Sequence, residues 1–315
     1  MDIKLSNNAP ILQPKREPLW LQYKKHWKLF ILLVPVLIYF LIFHYVPMWG
    51  VQLAFRETSW VNAFGGNWIG FQYFYEMFTG MFFLRAFRNT LIISFYRLVF
   101  GFPAPIILAL LLNEVYHLRF KKFIQSVSYL PHFISWVVLT GILIEFLAPD
   151  RGVVNYIIAS LGGNPIHFIA DPRWFRFLLV ASGIWRNVGF QSIIFLAAIS
   201  GIDPELYDVA EIDGAKRFRK IWSITLPSIK PTIAIMLIFA IGGIIQDDFE
   251  QIFNMLNGMV LSVGDVIGTY TYEVGIRHGN FGYGTAVGLF RSVIAMIMLV
   301  TGNLMSRKLF QTSLW

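Results

Sequence analysis

The sequence predicts an all-α integral membrane protein with six transmembrane helices, and three observations lead there. Of 315 residues, 56% are hydrophobic and 14% charged, whereas soluble domains carry about 25% charged residues. Mean hydropathy is +0.59. Apolar runs at 29–46, 85–112, 123–147, 174–200, 229–250 and 283–306 each approach or exceed the roughly 20 residues a helix needs to cross a bilayer.

The first run follows a polar tail, residues 1–28, that carries Lys4, Lys15, Arg16, Lys24, Lys25 and Lys28. It is longer than a typical signal-peptide core and no small-residue cleavage site follows, so it reads as an uncleaved span. An even number of spans puts both termini on one side. Lys and Arg number sixteen in the two tails and the 113–122 and 201–230 loops, against seven in the opposite loops. By the positive-inside rule the termini and those two loops are cytosolic. The net charge of +8 therefore reads as topology; the bases are scattered between apolar spans, which argues against a nucleic-acid partner.

On the other side, residues 50–80 hold Trp60, Trp68, Phe71, Tyr73, Phe74, Tyr75 and Phe78, an aromatic density expected at a membrane interface. Residues 149–172 and 252–281 carry Gly152, Gly162, Gly163, Pro165, Gly258 and Gly279 and should be turn-rich with short helices. These segments either pack on the membrane surface or dock a partner. Gly284 and Gly288, spaced as small-xxx-small, allow close helix approach in the last span.

The sequence shows little chemistry of its own. It has no cysteine and no GxxxxGK[ST] phosphate loop, and none of its six histidines is paired at metal-ligand spacing. With no GxSxG elbow either, an enzyme is not expected. Charge inside the spans is more informative. Arg97, Arg186 and Arg291 would each cost about 2.5–3.5 kcal/mol at a bilayer centre, so they should face a water-filled path. The alternative is a packed ion pair, with Glu145 as partner, or snorkelling. Trp185, Asn187 and Gln191 beside Arg186 offer a stacking face and amide donors and acceptors suited to sugar hydroxyls; Gln246 joins them as a further candidate. Asp247, Asp248 and Glu250 are expected at the outer end of the fifth span, in solvent.

The most organised polar stretch is Asp203 to Pro227. Asp203-Pro204-Glu205 is a helix start, since Asp caps free N–H groups and proline at the first turn has none to lose. Leu206, Val209, Ala210 and Asp213 share one face, too short to span. Gly214 permits the bend that ends the helix. The acids Glu205, Asp208, Glu211 and Asp213 precede the bases Lys216, Arg217, Arg219 and Lys220, an order that suits the helix dipole. By these features alone the stretch is equally an ordinary solvated loop helix.

Asp208-Val209-Ala210, then Gly214, nine residues, and Ile224-x-Leu226-Pro227 resemble the EAA signature of binding-protein-dependent ABC importer permeases; Asp208 stands for the family's leading Glu and Val209 for its first Ala. Asn89-Thr90-Leu91, GFPAPIILALLLNE at 101–114, LPHFIS at 130–135, ASGIW at 181–185, AEIDGA at 210–215 and TSLW at 312–315 extend the resemblance to the sugar-importing branch, especially the subgroup for complex oligosaccharides such as alginate or pectin fragments. The resemblance implies a type I ABC importer permease fold: a cytosolic tail at 1–28, one six-helix domain at 29–306 with a coupling loop at 201–228, and a cytosolic tail at 307–315. It implies that Glu205, Asp208, Val209, Ala210, Asp213, Gly214, Ala215, Ile224, Leu226 and Pro227 form the coupling site. The implied partners are a second permease, two ATPase subunits that bind ATP and Mg, an extracytoplasmic solute-binding protein, membrane lipid and an oligosaccharide cargo. The implied location is a bacterial cytoplasmic membrane, and no cofactor or metal is expected on this chain. Three intramembrane arginines suggest a carboxylated sugar, because guanidinium binds carboxylate bidentately. The competing class is an ion-coupled carrier or channel, with Asp247, Asp248 and Arg97 as coupling residues.

Overall fold

A computed structural model describes residues 20, 24–63, 65–311 and 313; Lys4, Lys15, Arg16 and most of the closing TSLW lie outside the described residues. Among these the only strand-like pairing is an isolated bridge between Arg56 and Trp68, and the rest is helix and turn, as expected. Five stretches are long and apolar enough to cross a membrane: Trp27–Phe55, Met81–Asn113, Pro172–Ser200, Arg217–Gly242 and Phe281–Lys308. The sixth expected span, 123–147, is instead two helices, Leu118–Phe133 and Trp136–Leu147, bent by 106°. Its apolar run is continuous, so hydropathy registers one element; Pro131 and the capping Ser135, whose hydroxyl accepts from the Val138 N–H at 3.4 Å, mark the break.

The described residues cluster into two compact units, one ending at Val51 and one beginning at Gln52. The first contains α1 (Trp27–Phe40), which runs through a widened turn at Leu41–Tyr45. In the second, α2 (Gln72–Thr79) precedes α3 (Met81–Tyr96), α4 (Pro103–Asn113), α5 (Leu118–Tyr129), α6 (Trp136–Leu147) and α7 (Val153–Ser160). Then come α8 (Pro172–Ser200), α9 (Glu205–Ile212), α10 (Arg217–Lys220), α11 (Leu226–Gly242), α12 (Phe249–Met255), α13 (Leu261–Gly264), α14 (Ile267–Thr271) and α15 (Phe281–Phe310). The short helices α7 and α12 to α14 match the turn-rich segments expected there.

Three π-type turns, Leu41–Tyr45, Arg97–Gly101 and Ile221–Thr225, share a cause. Each ends two residues before a proline: Pro47, Pro103 and Pro227. Proline has no N–H and its ring crowds the carbonyl four residues back, which falls at the centre of each turn. Adding a residue to the turn relieves the crowding. Thus the Phe102 N–H bonds the Arg97 carbonyl, five residues back, at 3.1 Å. A fourth such turn, Tyr272–Arg277, has no proline after it.

Because lipid is as apolar as leucine, close backbone approach and hydrogen bonds hold spans together more than apolar burial does. Helix α4 packs on α8 and α11 on α15. In the second pair Gly242 faces Leu299 and Gly302 faces Ile241, each with 3.2 Å to where a Cβ would sit. Of the pair expected to mediate close approach, Gly284 does so, against Gly275, while Gly288 faces open space.

Candidate functional site

Between α3, α8, α11 and the residues after α11 lies a cavity of about 350 Å³. The sequence explains its location. The π turn at Arg97–Gly101 widens one wall, and helix α11 stops at Gly242, leaving residues 243–248 irregular along another. The fifth span expected at 229–250 therefore ends early, and Gln246 sits past its end.

Of the seven path candidates, Arg97, Asn187, Gln191 and Gln246 line this cavity, together with Asp248. Trp185, Arg186 and Arg291 do not. Arg186 instead holds the break between α5 and α6: its Nε donates to the Ile134 carbonyl at 3.2 Å, and its guanidinium lies 4.9 Å from the Trp136 ring centre. Asn187 serves both places, because its Oδ1 meets His132 Nδ1 at 3.1 Å. His132 also stacks on Phe190, centroids 4.0 Å apart. Gly189 completes the grip, since any Cβ there would meet the Ser128 carbonyl. Residues 186–190 of α8 thus clamp the bend.

Arg291 is paired with Asp247 at 3.5 Å. Solvation was the expectation for Asp247; its side chain is instead 3% exposed and also accepts the Gly268 N–H at 2.5 Å. The unwound chain after Gly242 folds inward, so that one carboxylate joins the end of α11, the start of α14 and α15. Glu145, the expected partner of a buried arginine, pairs with Arg151 outside the spans, both bonds at 2.8 Å.

Arg97, the cavity's remaining arginine, donates from Nη2 to Gln251 Oε1 at 2.5 Å. Gln251 is fully buried on α12, and its Nε2 donates to the Leu179 carbonyl and to Ser182 Oγ, each at 2.8 Å. This anchor places α12 in an apolar cluster with Ile93, Phe175, Leu178, Leu179 and Ile252. Asn89 and Thr90 fasten the neighbouring segment: Asn89 Nδ2 donates to the Asp265 carbonyl at 2.9 Å and Thr90 Oγ1 accepts from the Ile267 N–H at 2.9 Å. Sequence reasoning misses Gln251 and assigns Asp247 to solvent; Asn89-Thr90 stands in the sequence as a motif with no role attached.

A second feature is the hairpin 203–227. Asp203 Oδ1 accepts the Glu205 N–H at 3.0 Å, the chain turns just past the end of α9 at Gly214, with φ +72°, and Ala215 N–H returns to the Ala210 carbonyl at 2.8 Å. Tyr207 and Thr225 hydroxyls meet at 2.9 Å, and Lys220 pairs with Glu211 at 2.7 Å, closing the hairpin. The hydrogen bond from Lys220 holds the Glu211 carboxyl below the usual carboxylate range. Glu205, Asp208, Val209, Asp213, Gly214 and Pro227 are exposed, whereas Ala210, Ala215, Ile224 and Leu226 are half-buried. The apolar stripe is therefore split: Leu206 and Val209 point outward, joined by Ile212, Phe218 and Trp222, with Ile212 86% exposed.

Comparison with known proteins agrees with these features. Residues 101–311 match the family described as binding-protein-dependent transport system inner membrane component. The chain is 44% identical to Protein LplB of Bacillus subtilis (strain 168), over 98% of each chain. It is 40% identical to the polygalacturonan/rhamnogalacturonan transport system permease protein YteP of the same organism, covering 93% of this chain and 92% of that one. Among solved structures, a chain of a bacterial alginate ABC transporter in complex with an alginate pentasaccharide-bound periplasmic protein superposes with a TM-score of 0.88. That chain is 42% identical, over 95% of this chain and 100% of its own length. A helical membrane chain with an interior cavity and a closed hairpin, it belongs to the family of binding-protein-dependent transport system inner membrane components.

Proposed function

We propose that the chain is one of two permease subunits of an ATP-driven oligosaccharide importer whose cargo carries carboxylated units. An extracytoplasmic binding protein delivers the cargo, and two ATPase subunits carrying ATP and Mg drive the cycle. The chain lies in a bacterial cytoplasmic membrane with both termini cytosolic. The likeness to permeases for polygalacturonan/rhamnogalacturonan and to the alginate transporter supports the cargo class. The hairpin 203–227 is the surface that receives ATPase motion, through Leu206, Val209 and Ile212 of α9 and the bend at Gly214. Arg97, Asn187, Gln191 and Gln246 contact the sugar as it passes.

The observation that carries this reading is the cavity, where one guanidinium is flanked by amides and faced by Asp248. It also narrows the argument from three arginines. Arg291 is neutralised by Asp247 and Arg186 is spent on a carbonyl, so preference for a carboxylate rests on Arg97 alone. In vesicles holding the whole complex, wild type should accumulate oligogalacturonides only with ATP and binding protein. Gly214→Pro, which cannot adopt the positive φ, should abolish accumulation while the subunits still assemble. Accumulation that persists in this variant, or without ATP, would refute the reading in favour of an ion-coupled carrier.

A further inference from the structure

The two ends of helix α12 border different cavities. Asp248, the residue before it, lines the cavity described above, and Phe253 near its far end lines a second cavity of about 610 Å³. Both volumes fall in the range of roughly 300–1,000 Å³ typical of ligand sites. The helix is pinned by fully buried Gln251, whose partners are Arg97 on one wall of the first cavity and Ser182 on α8.

The second cavity has a distinctive lining. Phe82 and Phe253 present exposed rings, 60% and 44% accessible, and half-buried Tyr270 adds a third. Beside these rings lie two arginine–carboxylate pairs, Arg85 with Asp265 at 3.5 Å and Arg277 with Glu273 at 3.0 Å. Formal charge in the cavity therefore cancels. A lipid chain would leave four charged groups facing hydrocarbon, at a cost that disfavours it. A ligand with anionic oxygens alone would engage the two guanidiniums and leave the two carboxylates without donors, whereas a uronate unit brings hydroxyl donors as well. A hydroxyl-rich ligand with apolar ring faces suits the set: hydroxyls both donate to carboxylates and accept from guanidiniums, while the aromatic rings cover its C–H faces.

We propose that this second cavity is a saccharide subsite, occupied by the sugar units of an oligosaccharide that trail those in the first cavity. The inference rests on the importer reading above and adds to it where a multi-unit cargo is held at both ends of α12. Affinity for longer chains then depends on Phe253 and Glu273, and affinity for the shortest depends on the first cavity.

The test is uptake of digalacturonate and hexagalacturonate by the intact complex in vesicles, with Phe253→Ala and, as a shape-conserving surface change that keeps the fold, Glu273→Gln. The hexamer-to-dimer uptake ratio should fall about 3- to 10-fold for Phe253→Ala, the factor expected for loss of one aromatic contact, and about threefold for Glu273→Gln, which keeps one hydrogen-bonding oxygen. An unchanged ratio in both variants would overturn the proposal. So would an equal loss for both sugars, which would mark the cavity as a seat for a protein partner or a structural void. Wild-type complex that takes up neither sugar would overturn the cargo assignment, and this inference with it, before any variant is compared.

Discussion

Replacing Gln251 with Leu tests whether the buried amide holds α12 against the cavity. The change keeps side-chain volume and removes three hydrogen bonds: one from Arg97 at 2.5 Å and two, at 2.8 Å, to the Leu179 carbonyl and Ser182 Oγ. Not all three are equally costly. Ser182 still donates to the Leu178 carbonyl at 2.5 Å, so the group left without a protein hydrogen bond is the Arg97 guanidinium. An unsatisfied buried partner costs roughly 1–3 kcal/mol, more if charged. Arg97 is half-buried and can turn toward water in the cavity, so about 2 kcal/mol is a reasonable figure. That corresponds to about a 30-fold rise in the population with α12 displaced. The chain contains no cysteine, so a single Ser94→Cys, at a buried position lining the cavity, reports cavity access with no other thiol on this chain. A membrane-impermeant maleimide should label it about 30-fold faster from the extracytoplasmic side in the Gln251→Leu background, and ATP hydrolysis without binding protein should rise. The mechanism also requires coupling to Arg97: in a double-mutant cycle, Arg97→Met should absorb most of the Gln251→Leu effect. Wild-type labelling rates in Gln251→Leu, or full additivity with Arg97→Met, would refute the argument.

Two other positions give sharp expectations. Gly189→Ala places a methyl against the Ser128 carbonyl, and backbone cannot yield as a flexible side chain can; a destabilisation of about 1–3 kcal/mol should lower the thermal midpoint of the purified complex, whereas Gly288→Ala, in open space, should leave it in place. Breaking the Asp247–Arg291 pair from one side leaves a buried charge alone, a loss of about 3–5 kcal/mol, so Arg291→Met should impair folding severely; Asp247→Asn with Arg291→Met should recover much of the yield, and a double variant no better than Arg291→Met would show that the pair is not the cause.

The elements legible in the sequence were those specified locally. Asp203-Pro204-Glu205 sets a helix start and Gly214 its end, and both are found where those residues fall, because capping and φ are decided within a few residues. Five of the six spans follow from apolar length, which needs no knowledge of neighbours. The path candidates fared less evenly. Arg97 and Asn187 came from polarity inside a span, yet Arg186 and Arg291 carry the same signal and point elsewhere. Polarity within a span says that a partner exists, but not whether it is water, a carbonyl or a carboxylate. Gln251 gave no sequence signal, since a glutamine in a turn-rich segment looks solvated; its burial depends on Leu179 and Ser182, about 70 residues away.

The bends and breaks missed by hydropathy are the places where the cavity and its neighbours are built. A helix satisfies its own backbone, so a span that stops inside a membrane needs outside partners for the freed groups. Polar side chains meet the backbone at two of the breaks. The turn between α5 and α6 exposes the Ile134 carbonyl, and Arg186 donates to it. The end of α11 releases chain whose Asp247 takes the N–H of Gly268 and the charge of Arg291. These arginines and acids are therefore required by the irregular backbone before any cargo is considered, and only a polar side chain with spare capacity after that duty is free for transport. Arg97 retains such capacity: of its guanidinium donors, a single bond is committed, to Gln251. Under the proposed importer reading, a sugar carboxylate that engaged the others would pull on the same side chain that anchors α12 and so would couple occupancy of the cavity to the position of that helix.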